Sequence, residues 1–203
     1  MNKRMWFSMD LEKMKQKFKD HKATFADYGN IKILDFKKPN STEYRIRFLF
    51  EEDYYRLHIS GDLGQLTATN YCNMCWNGFK DFVDNVGYFK EKIDCLDRHI
   101  FLYDQEQAEK DIAQYIEEND LYFEIDDNYP QFKSKEEIID DFLSDVLYDF
   151  SEETGIGSYG HEAFTDIDES VFEVINDFGK TSTGILELYM LVFKLAKEQL
   201  DSK

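Results

Sequence analysis

The sequence predicts an α+β fold: a four-stranded antiparallel β-meander preceded by one helix and followed by four or five packed helices. Two patterns carry this prediction. Between residues 44 and 59 apolar and polar side chains alternate with a period of two, as in half-buried strands. Over residues 134–153 the apolar residues Ile138, Ile139, Phe142, Leu143, Val146, Leu147 and Phe150 follow the spacing of one helix face. The 203 residues, 42% hydrophobic and 16% aromatic, are enough to fill one core, and a single domain over 1–203 is expected. Its first part, 1–71, holds the helix and meander and begins basic; 72–203 reads as mostly helical and strongly acidic.

In chain order, Ser8 or Asp10 can cap a first helix whose apolar stripe runs Leu11, Met14, Phe18, His21 and Phe25. Lys13, Lys15, Lys17, Lys19 and Lys22 occupy most of the remaining surface; they suit phosphate binding or neutralisation of the acidic half. Ile31 to Phe36 opens the meander. Tyr44, Ile46, Phe48 and Phe50 alternate with Arg45, Arg47 and Leu49, and Tyr55, Leu57 and Ile59 with Arg56, His58 and Ser60. A turn at Glu52-Asp53 would pair Phe50 with Tyr55, Phe48 with Leu57 and Ile46 with Ile59. A strand through Leu66 and Ala68 completes the four. The opposite face shows Arg45, Arg47, Arg56 and His58, a basic patch or a set of ion-pair partners.

Beyond Asn70 a helical stripe is expected through Cys72, Cys75, Trp76, Phe79, Phe82 and Val83, followed over 88–97 by a short helix running into an extended connection. Asp104 with Gln107 caps a helix through Glu118, with Ala108, Ile112, Tyr115 and Ile116 inward. Residues 119–130 read as a loop or short strand. Ser134 and Glu137 form a capping box for the helix over 134–153. A connection over 154–160 leads to Asp168, which caps a helix with Val171, Val174, Ile175 and Phe178 inward, ended by Gly179. The final helix, about 183–200, is apolar on most sides and fits a central core helix or a homo-oligomer contact.

Charge is the most unusual property. The formal net charge is −18, yet residues 1–48 carry +6 and residues 49–203 carry −24. Residues 104–178 hold twenty-four acidic and three basic side chains, a net of −21 over 75 residues. Such a field repels nucleic acid and anionic membranes and speeds encounter with basic partners. The plainer reading is a solubilising surface. No run of apolar residues reaches the length of a bilayer span, no leader pattern opens the chain, and three cysteines suit a reducing compartment; a cytoplasmic protein is expected.

Cys72-x2-Cys75, followed after nineteen residues by Cys95-x3-His99, has the outline of a zinc site. Cys72 and Cys75 fall on an apolar stripe, however, and are expected as core residues without metal. Gly155, Gly157 and Gly160 match GxGxxG, but the dinucleotide fingerprint needs a preceding strand, and Glu152 and Glu153 would repel a pyrophosphate. The site expected instead is an acidic surface: Glu137, Asp140, Asp141, Asp145, Asp149 and Glu152 on the 134–153 helix, with Asp126, Asp127, Glu153, Asp166, Asp168 and Glu169 beside it in sequence. Glu137, Asp141, Asp145 and Asp149 would form a row with a pitch of about 5.4 Å, comparable to the phosphate spacing of a nucleic acid strand.

The stretches Ile59-Ser-Gly-Asp-Leu-Gly64, Trp76-Asn-Gly-Phe79, Tyr88-Phe-Lys-Glu-Lys-Ile-Asp-Cys95 and Tyr103-Asp104 resemble uncharacterised accessory proteins of phages and plasmids of low-GC Gram-positive bacteria. Small acidic anti-CRISPR proteins come from the same genetic setting. The resemblance covers about residues 44–118 and carries no catalytic motif. It implies an anti-defence protein without cofactor that occupies the basic nucleic-acid channel of an RNA-guided nuclease and binds neither nucleic acid nor membrane. Two alternatives stand beside it. An enzyme processing guide RNA would use Arg45, Arg47, Arg56 and His58, and a structural or regulatory interaction protein would use the C-terminal helix.

Overall fold

The computed structural model describes residues 11–128 and 134–202. The caps expected at Ser8 or Asp10, the side chain of Leu11 and the loop end at Pro130 lie outside the described residues. The fold is α+β, and the chain divides into two compact units, Met1–Ile100 with Gly184–Lys203 and Phe101–Thr183. Each unit has a hydrophobic core of its own, where one core was expected.

The first unit is built on a six-stranded antiparallel sheet in sequential order: β1 (Lys22–Tyr28), β2 (Ile31–Lys37), β3 (Ile46–Glu51), β4 (Arg56–Gly61), β5 (Leu66–Thr69) and β6 (Ile93–Leu96). Four strands were expected; β1 and β6 are additional. Helix α1 spans Leu11–Phe18, and the residues assigned to its continuation, His21 and Phe25, instead lead into and lie on β1. The two-residue turn Gly29-Asn30 forces this outcome. Gly29 takes φ +78°, its N–H donates to Asp27 Oδ1 at 2.9 Å, and Tyr28 pairs with Ile31. On β3 and β4 the observed pairs are Phe50 with Leu57 and Phe48 with Ile59, two residues away from the expected register. A shift of two preserves the face, so Ile46, Phe48, Phe50, Leu57 and Ile59 are all buried as anticipated.

On that face lie α1, two short helices α2 (Lys80–Val83) and α3 (Val86–Lys90), and the long C-terminal α8 (Ile185–Asp201). Helix α8 packs into the core, burying Ile185, Leu188, Tyr189, Val192, Phe193 and Ala196. Phe79 and Phe193 meet edge-on with centroids 4.8 Å apart, and Phe48 and Phe50 join the cluster at 5.6 Å from Phe193 and Phe79 respectively. Burying each ring contributes about 1.5–3 kcal/mol, with about 0.5–1.5 kcal/mol more for the edge-to-face geometry. The helix expected from Cys72 is interrupted because Asn73 takes φ +57°, so only α2 is helical.

The second unit contains β7 (Phe101–Tyr103), α4 (Gln105–Glu118), α5 (Tyr122–Asn128), α6 (Lys135–Val146), α7 (Ser158–Thr165), two 3₁₀ turns (Glu169–Glu173 and Ile175–Asp177) and β8 (Lys180–Ser182). The strands by which the chain enters and leaves this unit pair with each other. Asp104 caps α4 through Gln107 N–H at 2.8 Å, and Ser134 and Glu137 close the expected capping box of α6. Ala108, Ile112 and Ile116 of α4 and Ile138, Phe142 and Val146 of α6 form the core with Phe164, Val171 and Ile175.

Four expectations change in this unit. Residues 122–128 are helical because Leu121 and Ile125 bury at helical spacing after Asp120, at φ +55°, ends α4. Helix α6 stops at Val146, well short of residue 153, as fits a last turn that holds Asp145 and no cation facing the negative end of the helix dipole. Helix α7 occupies part of the expected connection. The segment after Asp168 forms 3₁₀ turns that bury Val171, Ile175 and Phe178 but leave Val174 exposed.

Candidate protein-binding surface

Charge follows the division into units. Phe101–Thr183 carries twenty-four acidic and four basic side chains, a net of −20, while the remaining residues carry eighteen acidic and twenty basic, a net of +2. In the first unit, charges are matched across strands. Arg47 forks onto Asp35 at 2.7 and 2.8 Å, His58 Nε2 and Arg56 meet Glu51 at 3.1 and 3.6 Å, and Arg45 meets Asp62 at 3.6 Å. Of the two readings of the meander's second face, Arg45, Arg47 and Arg56 follow the ion-pair one, and His58 contacts the same Glu51 as Arg56. Asp35 also raises the Arg47 pKa further by accepting its hydrogen bonds.

The acidic residues of the second unit separate into two kinds. Some are structural. Asp149 lies beyond the end of α6, and its carboxylate accepts from the N–H groups of Tyr159 at 2.9 Å and Gly160 at 3.2 Å, capping α7 from a distance. Burial pushes its carboxyl upward, but these backbone donors outweigh that and hold it below the ordinary carboxylate value. Asp168 accepts the Tyr115 hydroxyl at 2.6 Å and the Ser170 N–H at 3.0 Å; the Tyr115 bond is the main reason its pKa is lowered. Burial, then the Asp168 contact, raises the pKa of Tyr115 in turn. Both Asp149 and Asp168 thus have structural partners within the unit.

Most of the other described carboxylates expected at the site face solvent. Asp140 and Asp141 on α6 are exposed and, among the described residues, meet no cation. Glu152 and Glu153 are exposed on the loop closed by the Ser151–Gly155 bridge, as are Asp166 at the end of α7 and Glu169 in the first 3₁₀ turn. Glu137 is exposed while also accepting from Ser134 N–H. Asp126 and Asp145 are half-buried, and the side chain of Asp127 lies outside the described residues. The four-carboxylate row expected on one helix thus ends at Asp145, and the exposed charge is spread over α6, the loop and α7.

The glycines of the GxGxxG match serve packing. A Cβ at Gly155 would meet the Tyr103 ring at 2.7 Å, one at Gly157 the Asp149 carboxylate, and one at Gly160 the Val146 carbonyl. The N-terminus of α7, where a phosphate would bind, is already filled by Asp149. Sequence reasoning missed that cap because the partner is ten residues away; the absence of a capping side chain at Gly157 is the signal that one must come from elsewhere.

The cysteines are not core residues. Cys72 and Cys95 are exposed and Cys75 is half-buried, because the turn at Asn73 aims Met74 inward instead. Among the described residues no group of three or more His, Cys, Asp or Glu is placed to hold a metal ion, so Cys72, Cys75, Cys95 and His99 do not converge. No helix among them is long and apolar enough to cross a membrane. No protein family, curated protein or solved structure matches the chain.

Proposed function

We propose that the second unit is an acidic binding module that occupies a basic nucleic-acid-binding channel of a partner protein, acting as an anti-defence inhibitor of an RNA-guided nuclease. The observation that carries this reading is the segregation of charge: a net of −20 on the inserted unit against +2 on the rest. A solubilising surface would need no such boundary. Exposed carboxylates on α6, the 151–155 loop and α7 present negative charge without the cross-strand cations of the first unit, and a field of this kind raises the on-rate for a basic partner. The test is inhibition of an RNA-guided nuclease, with guide integrity followed in the same reactions. Reversing Asp140, Asp141 and Glu152 together to Lys should weaken inhibition strongly and leave the melting temperature unchanged. Reversing Arg45, Arg47 and Arg56 should have little effect on inhibition. Inhibition should fade with salt as the screening length drops below about 8 Å. Full inhibition by the acidic-face variant refutes the proposal.

A further inference from the structure

Tyr148 and Tyr159 are large aromatic side chains exposed on the acidic second unit. Tyr148 is 80% and Tyr159 50% exposed, and their rings lie 5.3 Å apart, inclined at 57°. Tyr148 in particular leaves most of its surface in water and so contributes little to folding by burial. The pair is nevertheless held in place. Asp149, the next residue after Tyr148, accepts the backbone N–H of Tyr159 at 2.9 Å, which ties the backbone segments that carry the two tyrosines. The Ser151–Gly155 bridge and the Ser151–Thr154 hydroxyl contact at 2.7 Å tighten the loop between them. Exposed carboxylates flank both rings in sequence, with Glu152 four residues after Tyr148 and Glu162 three residues after Tyr159 on α7.

The geometry points to Tyr148 and Tyr159 as an arginine-stacking anchor, selecting partners that present arginine rather than lysine; this rests on the reading of the second unit as an acidic binding module. A guanidinium is planar and weakly hydrated, and it can lie on an aromatic face while its edge donates to a carboxylate. An ammonium gains the charge attraction but cannot use the same flat fit, and a nucleobase gains the stacking but brings a phosphate into a unit of net −20. Rigid tyrosines cost little conformational entropy on binding and are enriched at the centres of protein interfaces.

The test titrates the intact protein with an arginine homopeptide, a lysine homopeptide of equal length and an oligouridylate. Wild type should bind the arginine peptide about tenfold more tightly than the lysine peptide. Tyr148→Leu with Tyr159→Leu should remove that preference while leaving lysine-peptide binding unchanged, and Tyr148→Phe with Tyr159→Phe should keep it, since the rings remain. Equal affinity of wild type for both peptides, or an undiminished preference in the leucine variant, overturns the anchor and leaves the acidic module standing. Failure to bind either peptide overturns both. Binding of oligouridylate in preference to the arginine peptide, lost with the rings, assigns the pair to nucleic acid and overturns the anchor as well.

Discussion

Removing the Asp149 carboxylate tests whether this acidic residue belongs to the structure or to the surface. Its two acceptor bonds, at 2.9 Å to Tyr159 N–H and 3.2 Å to Gly160 N–H, satisfy two of the donors that α7 cannot satisfy itself. Loss of a helix cap costs about 0.5–2 kcal/mol, and a charged acceptor lies at the upper end, so Asp149→Ala should destabilise by about 2 kcal/mol. In a chain of this length that lowers Tm by about 4–8 °C. Gly157→Ala should act through the same group, because its Cβ would run into the carboxylate. In the Asp149→Ala background that clash is gone, so the two losses should be strongly non-additive in a double-mutant cycle. The Asp149 pKa is lowered in the folded protein, so its contribution is present above the unfolded value of about 3.9 and lost as pH falls through the folded value. Wild type and Asp149→Ala should therefore converge in acid. Thermal melts of the four variants, read by circular dichroism at neutral and acid pH, make the measurement. An unaltered Tm for Asp149→Ala, or simple additivity with Gly157→Ala, refutes the capping role.

Three further outcomes are expected. His21 is 1% exposed between Phe18 and Phe36, with no well-formed hydrogen bond at either ring nitrogen, and burial lowers its pKa against the weaker upward pull of loosely placed backbone acceptors at Tyr44 and Glu43. The unfolded chain takes up a proton below pH about 6.5 that the folded chain resists, so stability should fall with pH below that point by up to about 1.4 kcal/mol per unit, and His21→Leu should flatten the dependence in urea titrations. Gly160→Ala should cost about 1–3 kcal/mol because the new methyl meets the Val146 carbonyl and Ile156, whereas Gly87→Ala, with its nearest neighbour at 3.9 Å, should be neutral or stabilising by thermal melt. Cys72 and Cys95 should react with a thiol reagent in the native protein, and Cys72→Ala should change stability by less than about 0.5 kcal/mol, as measured by denaturant titration.

Local patterns in the sequence determine a good deal of this protein. Alternation placed β2 to β5 and their buried face, because a strand's face survives any even register shift; this is why Phe48 and Phe50 were assigned inward even though their partners were misplaced. Capping chemistry placed the starts of α4 and α6, since Asp104 and Ser134 act on donors three residues away. The concentration of carboxylates was likewise plain. Only the tertiary structure decided what each carboxylate does, because Asp149 and Asp168 are set apart from Asp140 and Asp141 by partners ten and fifty-three residues distant, whose approach no local spacing encodes. The same holds for Cys72, turned outward by one left-handed residue at Asn73, and for the pairing of β7 with β8, which joins segments nearly eighty residues apart and makes the acidic stretch a unit with its own core. Short-range hydrogen bonds and side-chain period can be read along the chain; the partners that settle burial and long-range capping come from the folded topology.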